Sequence, residues 1–287
     1  MNKVSFPGLG IDTITLDPIA FNLFGRDVAW YGVIICIGIL LAFFYGIYRC
    51  RKEGFKTDDF YDLVLVAVPL AIIFARLYYV VFDPTPNYES FIDYIAIWKG
   101  GIAIYGAIIG GALGVFIVSL WKKKSFLQIS DIISPCVMIG QVIGRWGNFV
   151  NVEAYGKLTD APWRMCSPSI AFETFSDGYA TVEEMNKVLD GTLGAHPTFL
   201  YESLWNLLGF LILHFFVSKK KRFTGQITFF WLAWYGFGRM LIEPLRTDSL
   251  RAGSFDVSTV VGVLCFVVFT TLYLMFLKKE KKDVSDN

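Results

Sequence analysis

Residues 28–56 read VAWYGVIICIGILLAFFYGIYRCRKEGFK, and this stretch decides the fold class. From 28 to 48 no charged side chain interrupts an apolar run. A bilayer core about 30 Å thick needs about 20 such residues in a helix. The run ends in Arg49, Arg51, Lys52 and Lys56, a basic cluster of the kind that marks a cytoplasmic helix end. Working outward, comparable runs lie near 60–82, 97–121, 130–150, 198–217, 225–244 and 255–277. The fourth is the weakest, because it holds Asp131, Gln141 and Arg145. The expectation is an all-α polytopic membrane protein of seven transmembrane helices, forming one membrane-embedded domain over residues 1–287. Residues 151–196 are too long for a simple connection and have enough aromatic residues to fold as a small extracytoplasmic cap.

Composition agrees. The 287 residues are 55% hydrophobic, 17% aromatic and 18% charged, with a mean hydropathy of +0.52, whereas a soluble domain carries about 25% charge. That excludes a disordered chain, a collagen-like chain and an ordinary cytosolic enzyme. A net charge of +1 gives no global field for nucleic acid. The five cysteines (Cys36, Cys50, Cys136, Cys166, Cys265) form neither a disulfide framework nor a metal motif, and no cofactor is expected. The N-terminal stretch MNKVSFPGLGIDTITLDPIA has no apolar core of a signal peptide, so no cleaved leader is expected. Fifteen Lys and Arg fall at alternate span ends, in 49–56, 122–124, 219–222 and 278–282, against seven in the longer opposite loops. This bias puts the N-terminus outside and the C-terminus in the cytoplasm. No internal repeat is visible, which counts against inverted-repeat transporters.

Charge inside the spans is the functional signal, since an Arg at bilayer centre costs at least ~2.5–3.5 kcal/mol. Arg76 has two readings, a snorkelling or structurally paired side chain and a functional one; Lys99, beside Trp98, reads as an interfacial anchor. Arg145 stands in GRWGNFVNVEAYG (144–156), with Asn148, Asn151, Glu153 and Gly156 downstream. Arg145 and Asn148 are i,i+3 neighbours on a helix, and a guanidinium beside amide donors suits a phosphodiester. In YGFGRMLIEPLR, Tyr235, Arg239, Glu243 and Arg246 share one helical stripe. Arg239 and Glu243 either neutralise each other or help hold an anionic headgroup. His196 opens HPTFLYES at the outer start of the fifth run, Tyr105 sits in KGGIAIYGAIIGG, and Tyr31 lies near the outer end of the first run.

The run 144–156 resembles the G-R-x-G-N-F-x-N-x-E-x-x-G signature of the bacterial prolipoprotein diacylglyceryl transferases, position for position. AWYG, KGGIAIYGAIIGG, HPTFLYES and YGFGRMLIEPLR extend the resemblance over nearly the whole chain. It implies transfer of the sn-1,2-diacylglyceryl group of phosphatidylglycerol to the lipobox cysteine of a prolipoprotein signal peptide, with glycerol 1-phosphate leaving. Arg145 then matches the family's phosphatidylglycerol-binding arginine and Arg239 its second required arginine. Asn148, Asn151, Glu153 and Gly156 carry over with the signature. Tyr31, Tyr235 and Glu243 are further expected lipid-binding residues, and Arg239, Tyr105 and His196 are the expected catalytic ones. Several family members have a histidine where this chain has Tyr105. Either the tyrosine serves as base here, or the proton goes elsewhere, to His196 or to a carboxylate such as Glu202. The nucleophile is the substrate's thiol, so the chain's own cysteines are expected to be dispensable.

Overall fold

The computed structural model describes residues 1–83, 88–247, 249, 251–252 and 255–285. Two antiparallel hairpins open the chain, β1 (Asn2–Phe6) with β2 (Ile11–Leu16) and β3 (Ile19–Leu23) with β4 (Arg26–Ala29). Then come α1 (Trp30–Lys52), α2 (Thr57–Phe82), the short α3 (Phe91–Ile95), α4 (Ile104–Trp121) and α5 (Phe126–Asn151). The segment expected as a cap holds α6 (Pro168–Ser176) and α7 (Val182–Asp190), framed by β5 (Leu158–Thr159) pairing with β6 (Gly194–Ala195). Next are α8 (Thr198–Ile212), continued by a π turn over Leu213–Val217, and α9 (Gln226–Ile242). A β7 (Arg251–Ala252) and β8 (Phe255–Asp256) pair leads into α10 (Val257–Ser285).

Six of these helices are long and apolar enough to cross a membrane: α1, α2, α4, α5, the α8 segment to Lys220, and α10. The sixth expected span is α9, whose 17 residues lie at the short end of the length that crosses a bilayer. The all-α expectation also needs correction, because the first 29 residues form β-hairpins. Their apolar and polar residues alternate, and Gly10 and Gly25 sit at the turns with positive φ. The third span starts at Ile104 rather than 97, because Gly100 and Gly101, at φ 86 and 72, break the helical path.

The chain divides into two compact units, residues 1–43 with 134–287, and residues 44–133. In the second unit, Gly106, Gly110 and Gly114 form a stripe along α4 that lies directly on α2. A Cβ at Gly106 would stand 2.2 Å from the Phe74 carbonyl oxygen, and one at Gly110 2.3 Å from that of Leu70. This is the close backbone approach that small residues permit in membranes. Arg76 resolves as a structural clamp. Its buried guanidinium donates to the carbonyls of Asp93 (2.5 Å), Tyr94 (3.0 Å), Gly100 (2.8 Å) and Gly101 (2.7 Å). It thereby pins the segment that leads into α4. Tyr105 occupies the first turn of α4, its ring 6.2 Å from that of Tyr78. The side chain of Lys99 lies outside the described residues.

In the first unit, Trp205 and Trp234 stack at 4.3 Å and exchange indole-to-carbonyl hydrogen bonds of 3.0 and 2.9 Å. Gly209 and Gly238 make room for these rings, since a Cβ at either would fall 2.3 Å from an indole nitrogen. This clasp locks α8 against α9 and fixes where their polar ends meet. Gly236 and Gly262 let α9 and α10 approach backbone to backbone. Val4, Val152, Tyr155, Met165, Ile170, Val188 and, from the first turn of α8, Phe199 make a buried core. Paired Ser5–Cys166 backbone bonds of 2.9 Å fasten β1 to the cap.

Candidate active site

Three helix ends build the site. Arg145 stands six residues before the end of α5, Glu202 lies in the second turn of α8, and Arg239 sits in the last turn of α9. A cation there is favoured by the helix's own dipole. Just past α9, a 3-10 turn over Glu243–Leu245 delivers Arg246, which is fixed by a backbone bridge to Gly156.

Glu202 is the hub. Its Oε2 meets Arg145 Nη2 at 2.5 Å and Arg239 Nη1 at 3.5 Å, and its Oε1 accepts from Arg246 Nη1 at 3.0 Å. Arg239 also pairs with Glu243. The two carboxylates are buried, whereas Arg145 keeps 22% of its side chain exposed. Three guanidinium groups, each with five N–H donors, converge on Glu202 and Glu243, and they carry more donors than these two carboxylates can accept. Such an arrangement takes an additional anion, and a tetrahedral phosphate oxygen set matches the guanidinium fork. Both oxygens of Glu202 accept from arginines, which makes this residue their shared counter-ion.

The signature residues surround this hub. Arg145 Nη1 donates to Asn148 Oδ1 at 3.3 Å, and Asn148 Nδ2 donates to Glu153 Oε1 at 2.9 Å. Asn151 is the last residue of α5. Beyond it, Val152 and Ala154 both hold φ 55, a left-handed conformation that is costly for a β-branched valine, and Glu153 lies between them. The Thr198 hydroxyl donates to the Ala154 carbonyl and Asn2 donates to that of Val150 at 2.9 Å, holding the strained turn. Gly156 packs in a slot with no space for a side chain: a Cβ would stand 2.8 Å from both His196 Cβ and the Leu245 carbonyl oxygen. Its part is to let 156, 196 and 245–246 join backbone to backbone, with Gly156 N–H donating to His196 at 2.9 Å. Tyr31, at the start of α1, covers Gly147, where a Cβ would come 2.7 Å from its ring. Trp146 donates to Ser203 Oγ at 3.2 Å and Ser203 donates to the Val142 carbonyl at 3.0 Å, which seats α5 on α8. Tyr235 lies within electrostatic range of Arg239, Glu202, Arg145 and Glu243.

His196 is joined to the arginine hub through backbone, its carbonyl accepting from the Gly156 N–H while Gly156 bridges Arg246. Its Nδ1 lies 3.0 Å from Tyr201 Oη, which in turn accepts from Trp163 Nε1 at 2.5 Å. With Nδ1–H donated to Tyr201, Nε2 keeps a lone pair for a proton. Burial holds the imidazole pKa below its usual 6.5. Of the expected residues, Arg145, Asn148, Glu153, Tyr235, Arg239 and Glu243 form one network with Glu202 and Arg246. Tyr105 belongs to the other compact unit. Tyr201 and Trp163 were not among the expected site residues, and Arg246 was named only as part of the stripe with Arg239 and Glu243. The Trp163–Tyr201 and Arg246–Glu202 contacts span 38 and 44 positions, so local spacing gives no sign of those two pairings.

Comparison with known proteins fits this geometry. The family model described as prolipoprotein diacylglyceryl transferase matches residues 18–275. The phosphatidylglycerol–prolipoprotein diacylglyceryl transferase of Limosilactobacillus reuteri (strain DSM 20016) is 40% identical over 267 residues, covering 93% of this chain and 92% of that protein. The protein of the same name in Streptococcus mutans serotype c is 41% identical over 261 residues, 91% of this chain and 95% of its own length. That of Finegoldia magna is 36% identical over 268 residues, 93% and 99% of the two chains. The shared stretch takes in every residue of the arginine hub, and on this evidence the chain belongs to the prolipoprotein diacylglyceryl transferase family.

Proposed function

We propose that this protein transfers the sn-1,2-diacylglyceryl group from phosphatidylglycerol to the lipobox cysteine thiol of a prolipoprotein signal peptide, the first step of lipoprotein maturation. The observation that carries the reading is the convergence of Arg145, Arg239 and Arg246 on the single buried Glu202. The protein works as one membrane-embedded enzyme of seven spans in the bacterial cell membrane, N-terminus outside and C-terminus cytoplasmic, with its site toward the outer leaflet. The basic clusters at alternate span ends support that orientation.

The phosphodiester of phosphatidylglycerol takes guanidinium hydrogen bonds now shared with Glu202, chiefly from the more exposed Arg145. Asn148 and Asn151 add amide donors. Glu153 orients Asn148, and Tyr31, Tyr235 and Glu243 shape and neutralise the surroundings. The peptide thiolate attacks the glycerol carbon that bears the phosphate ester. The C–S bond forms as the C–O bond breaks, and the electron pair leaves on glycerol 1-phosphate. Arg239 stabilises that growing phosphate charge. A thiol of pKa about 8.5 needs its proton removed, and His196, oriented by Tyr201, accepts it at Nε2. Tyr105, assigned from the family resemblance, orients the phosphodiester through its hydroxyl. No cofactor enters this scheme. Purified protein, phosphatidylglycerol labelled in its acyl chains and a lipobox peptide test it: label must appear on the cysteine-containing peptide and not on a Cys→Ser peptide. Label on neither peptide would refute the reading.

A further inference from the structure

The β3–β4 hairpin presents an apolar face that is about half exposed along the strand and fully exposed at its tip. Ile19, Phe21 and Leu23 alternate along β3 and are 43%, 50% and 51% exposed, and Phe24 at the tip is 97% exposed. The tip is itself costly. Leu23 pairs with Arg26 across a two-residue turn in which Phe24 holds φ 50 and Gly25 φ 79. Two successive positive φ values make a turn that favours Asn-Gly and disfavours a bulky aromatic at its first position. A strained and fully exposed Phe is poorly accounted for by the fold alone.

We propose that this hairpin is a wedge whose tip enters the outer leaflet of the bilayer beside the site. It goes beyond the transfer activity, resting on that reading only for which leaflet it meets. The occupant follows from continuity with a membrane span. β4 ends at Ala29 and α1 begins at Trp30 with no linker, and the Trp30 N–H donates to the Pro18 carbonyl at 2.9 Å, tying the hairpin's base to the span. Trp30 and Tyr31 are exposed aromatic residues at that junction, as interfacial belts require. Polar groups of the hairpin are partly satisfied within it: Asn22 donates to Asp27 at 2.8 Å, and the Gly25 N–H donates to Asn22 Oδ1 at 3.0 Å. Arg26, beside the tip, complements an anionic headgroup. A hairpin retains unpaired edge groups, so insertion is shallow, at the depth of headgroups and upper acyl chains. Because Tyr31 packs on Gly147, two residues from Arg145, the wedge disturbs lipid packing next to the anion cradle and eases lateral admission of phosphatidylglycerol.

The test uses full-length, cysteine-free protein carrying a nitroxide at Phe24→Cys, in vesicles of equal parts phosphatidylcholine and phosphatidylglycerol. The label's collision with a water-soluble nickel chelate should fall to the level of Leu40→Cys on α1, while Glu183→Cys on α7 stays water-accessible. A label at Phe24→Cys as accessible as that at Glu183→Cys overturns the proposal. So does one that becomes protected only when lipobox peptide is added, which would give the surface to the peptide. Phe24→Asn supplies a second arm, since Asn suits the turn and should not unfold it. It should slow transfer several-fold in vesicles and leave transfer in detergent micelles unchanged; equal rates in vesicles would also overturn the wedge. The spin-label arm remains decisive even if no transfer activity is found.

Discussion

Removing Arg239 should do two things that a second substitution can separate. Arg239 pairs with the fully buried Glu243 and also reaches Glu202 at 3.5 Å. Arg239→Ala therefore strands a carboxylate whose side chain is 2% exposed, and stranding one partner of a buried pair costs about 3–5 kcal/mol. It also removes one stabilising donor from the departing phosphate, a loss of roughly 10²–10³ in kcat. Arg239→Ala/Glu243→Gln replaces the stranded carboxylate with a neutral amide. Thermal unfolding in detergent should show the double variant recovering most of the stability lost by Arg239→Ala. Transfer assays on equal amounts of folded protein should show both variants equally impaired. If the double variant regains near-normal turnover, Arg239 is merely the counter-ion of Glu243 and the phosphate role is refuted.

Arg145→Lys should bind the lipid poorly and lose most transfer, because an ammonium cannot make a two-pronged contact with a phosphate; near-normal activity would remove the fork from the argument. In the proposed mechanism neutral His196 accepts the thiol proton, so activity should be lost as pH falls through its folded pKa. Burial lowers that value, placing the acidic limb of kcat/KM below pH 6.5. His196→Gln should abolish the limb and Tyr201→Phe should slow the reaction, whereas an unaltered profile in His196→Gln would reassign the base, with Tyr105→Phe the next variant to measure. A cysteine-free protein should keep its activity, with Ser at Cys166 to preserve the 3.1 Å bond to the Leu193 carbonyl. A folded but inactive cysteine-free variant would point to an enzyme-linked intermediate.

What the sequence made legible follows from the range of each interaction. Long uncharged runs announce spanning helices because hydrocarbon demands them locally: long helices α1, α2 and α5 lie over the runs at 28–48, 60–82 and 130–150, while α10 continues past 277 to Ser285. Arg145 and Asn148 were readable as a pair because three residues separate them on one helix. The N-terminal hairpins went unread, since their strands are only four to six residues long and much of their apolar surface faces outward. That Glu202 is the hub is not legible in the sequence, because the three arginines reach it from α5, α9 and the turn after α9. Arg246 was legible as a member of the stripe with Arg239 and Glu243, but its contact with Glu202 was not, because its position depends on a backbone bridge to Gly156.

The central claim is that a thiolate displaces phosphate at carbon while the arginines hold the leaving group. The direct measurement is the intact mass of a lipobox peptide after incubation with the protein and phosphatidylglycerol of defined acyl chains, with the released small molecule quantified alongside. The account predicts a peptide heavier by one diacylglyceryl group on its cysteine and one equivalent of glycerol 1-phosphate, and neither product with Arg145→Ala. A peptide adduct that retains the phosphate would mean attack at phosphorus rather than carbon and would contradict the account.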